Sequence, residues 1–131
     1  MTTVYDPKKV TVIYDGQVIT GFADDSMIEA EKNEDNITPH VGVLGEVSLA
    51  INADNTGTVT ISLANTSPFI KILAEKARAN TVAPLSIIDM NENGVNIGGT
   101  EAVIIKPPNV TIGKEVESQE VQFFVADYTI D

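Results

Sequence analysis

Residues 89–94, which read DMNENG, are the part of this sequence that comes nearest to a metal-binding motif. They match the opening of a calcium loop, in which alternating oxygen ligands surround the cation and a glycine permits the turn. The twelfth position of such a loop needs a bidentate glutamate, but Thr100 stands there and Glu101 comes one residue late. Asn and Gly are also the residues that β-turns favour. We therefore predict a hairpin turn here and no metal site.

Acidic residues between positions 24 and 35 could supply the paired carboxylates of a glycosidase-type site. Such sites also need aromatic platforms and a dry pocket that raises one pKa, whereas this chain has no Trp and only 5% aromatic residues. A single histidine, His40, excludes an imidazole-rich metal site, the lack of cysteine excludes thiolate chemistry, and His40 has no nearby Ser in a nucleophile-like context that would suggest a triad. We predict that His40 is a loop residue, that the chain is not an enzyme and that it has no cofactor. The acidic residues, which we interpret as solvated surface, are Asp24, Asp25, Glu29, Glu31 and Asp35.

The charge of the chain limits its partners. It has 131 residues with 8 Lys and Arg against 19 Asp and Glu, a formal charge of −11. Binding of duplex DNA depends on cations that neutralise phosphates, so a surface this negative repels DNA and, for the same reason, anionic membranes. No apolar run approaches the length of a spanning helix. We predict one unsecreted domain over residues 1–131, with no membrane partner.

Two local signals define elements clearly. Asp15 and Gly16 supply the positive φ angles of a tight turn between β-rich runs at 10–14 and 17–22, which predicts a hairpin. Ser67 can cap a helix whose first position is Pro68, and Asn80 is a plausible left-handed terminator. The helix between them has an apolar stripe that would cover one side of a sheet, formed by Phe69, Ile70, Leu73, Ala74 and Ala77.

The most regular period-2 pattern runs over residues 46–54 and continues, after a turn at 55–57, over residues 58–63. We predict that the two runs pair as a hairpin with one apolar side and one side of hydroxyls and small groups. Residues 27–34 could form a third strand, and 33–42 reads as a loop. The fold class that follows is mainly β, a small β-sandwich or barrel of about seven or eight strands with one α-helix packed on it.

Three stretches follow one another along the chain: 16–24 (GQVITGFAD), 42–47 (GVLGEV) and 57–63 (GTVTISL), the last leading through residues 66–68 into the predicted helix. These stretches are architectural rather than catalytic and are weak singly. As a set, they resemble the tail tube proteins of contractile-tailed bacteriophages, which are related to the tube proteins of phage-tail-like particles and type VI secretion systems.

The resemblance implies a structural virion protein that forms hexameric rings, and these stack into the hollow inner tube of the tail. Such a tube conducts the genome into the host without binding it specifically, holds the tape-measure protein in its lumen and templates the sheath. The protein would be made in the host cytoplasm and reside in the virion. The resemblance also implies that a long loop around 24–43 reaches the adjacent ring or subunit and orders on assembly.

A conduit for DNA should carry few cations on its wall, because each Lys contact would add counterion-release affinity at every ring. We therefore expect the polar side of the predicted hairpin to line the lumen. On the last strand, one set of residues would fill the core and the alternate set would meet a neighbouring subunit. The expected lumen residues are Glu46, Ser48, Asn52, Thr58, Thr60 and Ser62, and the expected interface residues are Phe124, Ala126 and Tyr128.

Two alternatives remain open on the sequence alone. A type VI secretion or bacteriocin tube protein would have the same architecture but pass protein cargo. A β-sandwich binding module, such as a carbohydrate-binding domain, would stack sugars on exposed aromatic rings. This chain has no Trp and three Tyr, two of them near its termini, which does not favour the module.

Overall fold

The computed structural model describes residues 9–23, 28–108, 112–113 and 118–131. It confirms the expected class, a mainly β sandwich with one helix. In the described part of the chain there are ten strands. The elements are β1 Val10–Tyr14, β2 Gln17–Val18, β3 Ile28–Lys32, β4 Ile37–Val41, β5 Val47–Ile51, β6 Gly57–Ala64, α1 Phe69–Arg78, β7 Ala83–Asp89, β8 Asn96–Lys106, β9 Ser118–Val125 and β10 Thr129–Ile130.

Eight of these strands form one antiparallel sheet in the order β2-β1-β7-β8-β9-β6-β3, with β10 paired to the first part of β8. The long strand β8 belongs to both halves of the sheet, because its first part pairs with β7 and its last part with β9. The register shifts in both of these ladders, and such irregularities bend a strand. The sheet can therefore fold back on itself as two layers around one core.

The core between the layers is apolar, and Tyr14 ties its two sides together. The Tyr14 ring meets Phe123 edge-on at 4.9 Å between centroids, and its hydroxyl lies 3.1 Å from the carbonyl oxygens of both Thr81 and Ala102. A buried phenol needs such a partner, since an unpaired hydroxyl in an apolar core is costly. The residues less than 2% exposed include Val12, Tyr14, Val59, Ile61, Leu63, Leu73, Leu85, Val121, Phe123 and Val125.

The helix and the first hairpin confirm the local sequence signals. Ser67 Oγ accepts a bond from the amide of Phe69 at 3.3 Å and donates one to the Thr20 carbonyl at 2.7 Å, while Asn80 adopts a φ of 54° just after the helix. Leu73 is buried against the sheet, and other residues of the predicted stripe pack beside it. Asp15 and Gly16 have φ values of 52° and 76°, as a tight hairpin turn requires.

The predicted pairing of 46–54 with 58–63 is wrong. Strand β6 lies between β3 and β9 in the large sheet, whereas β5 pairs only with β4, in a separate two-stranded sheet, among the described residues. Period-2 alternation shows which side chains share a face but not which strand lies beside them, and the turn signal at 55–57 favoured the wrong partner.

The stretch predicted as a loop around 24–43 contains β3 and β4 in its described part, and residues 24–27 lie outside the described residues. His40 therefore belongs to a strand rather than a loop. The strand was not predicted from the sequence because it contains Pro39, and proline is uncommon in sheets. It is tolerated here because β4 is an edge strand of a two-stranded ribbon.

Candidate functional site

The outward side chains of β3, β6 and β9 form a surface that we call the polar face. The strand register sets them in rows: Glu29 lies opposite Thr60, which lies opposite Gln122, and Glu31 lies opposite Thr58 in the next row. The core residues alternate with them along each strand, which is why the face is polar. Its members are Glu29, Glu31, Thr58, Thr60, Glu120 and Gln122, and together they line a depression of about 250 Å³.

The polar face is acidic. It bears three carboxylates and two hydroxyls, and Lys106 lies beside it opposite Gln122, where it lines a neighbouring depression together with Thr60 and Glu120. A polyanion near such a surface meets negative charge and hydroxyl groups rather than phosphate-binding cations. The part of the chain covered by the structure contains no group of three or more His, Asp or Glu that could hold a metal ion.

The expected lumen residues do not share one surface. Thr58 and Thr60 lie on the polar face, and Ser62 follows them on β6 opposite Glu120, where it is 8% exposed. Glu46, Ser48 and Asn52 lie instead on or beside the separate β4–β5 ribbon. A channel-lining role for any of the six stays a prediction.

Sequence reasoning missed the acidic members of the polar face. The alternation in residues 28–32, which read IEAEK, places Glu29 and Glu31 on one side of a strand, and β9 alternates in the same way around Glu120. That signal was present in the sequence. The strand order that brings β3 and β9 to either side of β6 was not, because it depends on contacts distant along the chain.

The expected interface residues also occupy different environments. Phe124 is half-buried and lies directly opposite Thr58, so it borders the polar face. Strand β9 ends at Val125, so that Ala126 lies in a turn and Tyr128 folds back with its ring over Gly57. Burial raises the pKa of Tyr128, and the Glu31 carboxylate raises it further. A contact of these residues with a neighbouring subunit stays a prediction.

Residues 37–51, comprising β4, its turn and β5, form a projecting ribbon that we call the arm. Every residue of its two strands is exposed. The register pairs Ile37 with Ile51, Pro39 with Leu49 and Val41 with Val47, so these six side chains form one wholly apolar side. Its other side carries Thr38, His40, Ser48 and Ala50.

The exposure of the apolar side is large. Val41, Val47, Leu49 and Ile51 are 63–86% exposed, and Val43 and Leu44 at the tip are almost entirely so. None of these residues belongs to the apolar core of the sandwich. A contiguous apolar surface of this kind on a folded chain marks an interaction site, and an isolated two-stranded hairpin is only marginally stable without a surface to pack on.

A second depression, of about 380 Å³, lies on the other layer between β7, β8 and β10. Its lining side chains are uncharged apart from Asp131, and they include Ser86, Asn96, Thr100 and Thr129. No helix of the described residues is long and apolar enough to cross a membrane.

The turn at 89–94 joins β7 to β8 as a hairpin, which confirms the turn interpretation of that motif.

The two-layer sandwich is similar to solved components of contractile injection systems. One is the anti-feeding prophage cap, the AFP tube terminating cap, which is 13% identical with a TM-score of 0.61, over 100% of this chain and 93% of that one. Another is the PVC sheath/tube terminator of an extracellular contractile injection system in its extended state, 9% identical with a TM-score of 0.65, over 99% and 98%. At these identities the similarity shows the fold alone.

Sequence comparison gives the family. The chain is 32% identical over 72 residues to the structural protein ORF10 of Pseudomonas phage KPP10, an alignment that spans 50% of this chain and 42% of that protein. The family model of the bacteriophage PhiTE tail tube protein matches residues 8–126. The chain therefore belongs to that tail tube family, whose members are structural proteins of phages, and the resemblance stated from the sequence is confirmed.

Proposed function

We propose that copies of this chain form hexameric rings that stack into the hollow inner tube of a phage tail, with the polar face towards the channel. DNA passes through the tube into the host, the tape-measure protein occupies it before ejection, and a sheath assembles around it. The protein is made in the bacterial cytoplasm and resides in the virion tail. Membership of the tail tube family supports this assignment.

The observation that carries the proposal is the composition of the polar face. Three glutamates and two threonines are presented on three adjacent strands, with the cation Lys106 beside them opposite Gln122. A wall of this kind repels the phosphates of DNA and keeps them hydrated, so the polymer gains little affinity at any ring it passes. The face is formed by paired strands rather than by a loop, so each copy of the chain presents the same side chains in the same arrangement.

Assembly into rings requires surfaces that are incomplete in the single chain. The apolar side of the arm is one such surface, and a neighbouring copy would remove it from water. The edge strand β3 is another, because within the described residues it pairs only with β6 and leaves a row of backbone groups available. A monomeric binding module has no use for either, which favours the tube over the module.

The channel assignment is tested by reversing charge on the polar face. In phage carrying Glu29→Lys together with Glu120→Lys, we expect tubes to assemble but DNA ejection to slow, because every ring now offers cations to the passing phosphates. Each phosphate contact makes the slope of log affinity against log salt concentration about 0.9 more negative, so raising the salt should restore the rate. Ejection is measured as the release of DNA over time from purified particles triggered to eject.

The matched control reverses two other exposed glutamates, Glu75 in α1 and Glu92 in the β7–β8 turn, and so changes the net charge equally. These particles should eject like the parent. If the face variant also ejects at the parental rate at low salt, the polar face does not line the path of the DNA.

The role of the arm is tested by a pair of neighbouring substitutions. Leu49→Asp places a charge on the apolar side of the arm, and we expect it to abolish ring and tube formation in sedimentation and electron microscopy. Ser48→Asp places the same charge one residue away on the opposite side, and should still assemble. Both positions are exposed, so neither change should affect folding of the single chain. Equal assembly of the two variants would show that the apolar side is not the docking surface.

A further inference from the structure

The arm is joined to the sandwich by two short crossing segments, 33–36 and 52–56, which we call the arm base. The ladder of β3 with β6 ends at the pair Lys32 and Gly57, and the ladder of β4 with β5 begins at Ile37 and Ile51. Between them the segments differ in length, four residues against five, so the strands cannot continue in one register. The orientation of the arm is therefore not fixed by a continuous sheet.

Apolar packing does not fix that orientation either. The large apolar side chains of the arm are exposed, and the core cluster of the sandwich and the residues packed on it include no arm residue. What remains is hydrogen bonding in and around the arm base, where Tyr128 N donates to Asn55 O at 2.9 Å and Lys32 Nζ donates to Asn36 Oδ1. Two main-chain bonds cross it, from Asn33 N to Thr56 O at 3.0 Å and from Asn52 N to Asn36 O at 2.8 Å.

Side chains connect these crossing points in a chain that starts in the sandwich. The Thr58 hydroxyl of β6 donates to Asn33 Oδ1 at 2.7 Å, and Asn33 Nδ2 donates to the Thr56 hydroxyl at 2.9 Å. The Thr56 hydroxyl in turn donates to Asp54 Oδ1 at 2.7 Å, and the same oxygen accepts the Thr56 amide at 2.9 Å. The Asp54 amide then donates to Asn52 Oδ1, next to β5.

We propose that the Thr56 hydroxyl is a positioning group that fixes the angle of the arm to the sandwich. It links the side chains of the two crossing segments beside the main-chain bonds, since it accepts from Asn33 on one segment and donates to Asp54 on the other. The use of that fixed angle, to present the apolar side of the arm to a second copy, rests on the proposed function. The arm is thus oriented before assembly rather than ordered by it.

The protonation of Asp54 agrees with this geometry. The side-chain and backbone bonds from Thr56 hold the pKa of Asp54 below its ordinary value of 3.8. The same bonds hold the carboxylate beside the Thr56 hydroxyl, to which Asn33 of the other segment donates. Because these bonds lie outside the apolar core, losing the Thr56 hydroxyl should cost little stability while removing a constraint on direction.

The test measures the angle in single chains. The protein has no cysteine, so Ser48→Cys on the arm and Lys71→Cys on the helix allow spin labels to report one distance between arm and sandwich. Leu49→Asp is included to prevent association. We expect the parent and Thr56→Ser to give one narrow distance distribution. Thr56→Val has the same shape without the hydroxyl, and we expect its distance distribution to be broad.

A second variant guards against a folding defect in Thr56→Val. Asn33→Asp keeps the oxygen that accepts from Thr58 but removes the Nδ2 donor to Thr56, and it should broaden the distribution in the same way. Thermal melts of all variants establish that the sandwich is intact.

Distributions as narrow as the parent in folded Thr56→Val and Asn33→Asp would overturn the proposal, as would a broad distribution in Thr56→Ser. Assembly of chains that carry Leu49→Asp would count against the docking role of the arm. The role of Thr56 would then be decided by spin-label distances measured at a dilution where the chains are separate.

Discussion

At the scale of single residues, Asp127 shows how one carboxylate can hold two elements together. It follows β9 and accepts the Thr100 amide and hydroxyl and the Glu101 amide, at 2.6–3.1 Å. These donors belong to β8 at the point where its ladder with β7 shifts register. The chain that leads from β9 into β10 is therefore fastened to the bend of β8.

This arrangement predicts a dependence of stability on pH. The hydrogen bonds from Thr100 hold the pKa of Asp127 below its ordinary value of 3.8 in the folded chain. A carboxylate with a depressed folded pKa contributes stability that is fully present above 3.8 and is lost as pH falls through the folded value. We expect Asp127→Asn to melt lower than the parent at pH 7 and to lose less stability on acidification. Thermal melts between pH 7 and pH 2 measure both.

Glu92→Gln, which neutralises an exposed carboxylate in the β7–β8 turn, is the matched control and should follow the parental curve. Identical acid limbs for the parent and Asp127→Asn would show that the carboxylate does not act in this way.

The sequence predicted which side of a strand each residue occupies better than it predicted which strand lies beside it. Thr58 and Thr60 do project from the side of β6 opposite the buried Val59 and Ile61, as the alternation indicated. Phe124 was expected at a separate interface, yet it lies opposite Thr58. The reason is that the outward residues of a strand lie beside those of whichever strand pairs with it. Alternation is a local property, and pairing partners are set by contacts far apart in sequence.

At the scale of elements, the arm is structurally separate from the sandwich. Its two ends are adjacent, since Asn52 N donates to Asn36 O at 2.8 Å, and none of its residues lies in the core. We expect that replacing residues 37–51 by an Asn-Gly turn leaves the sandwich folded, because the ends of the arm are already adjacent and none of its residues packs in the core. The shortened chain should not form tubes.

Circular dichroism, denaturant unfolding and sedimentation check this prediction together. A shortened chain that loses its cooperative transition would show that the arm stabilises the sandwich, and one that still forms tubes would show that assembly does not need it.

The elements with strong local chemistry could be predicted and the arm could not. The helix follows from Ser67, Pro68 and its apolar stripe, and the first hairpin from Asp15 and Gly16, because capping and turn geometry act within a few residues. Strand β4 contains a proline and follows a run of Asn and Asp, which are signals of a loop. Its apolar residues are exposed in the single chain, so burial in the core does not explain why they alternate with polar residues.

At the scale of the whole molecule, Thr58 connects the polar face with the arm, because it belongs to the polar face and also begins the hydrogen bonds of the arm base. With a formal charge of −11, copies of the chain repel one another over about 8 Å in physiological salt. Self-association must therefore come from apolar contact and backbone pairing, and the arm and the β3 edge offer both.

Electron cryo-microscopy of tubes formed by the purified protein shows which surface of the chain lines the channel. We expect hollow stacked rings in which Glu29, Thr60 and Glu120 face the channel and Leu49 of each arm is buried against another copy. A tube whose channel is lined by another surface, with the polar face buried or turned outward, would contradict this expectation, as would a protein that remains a single chain with its arm exposed at high concentration.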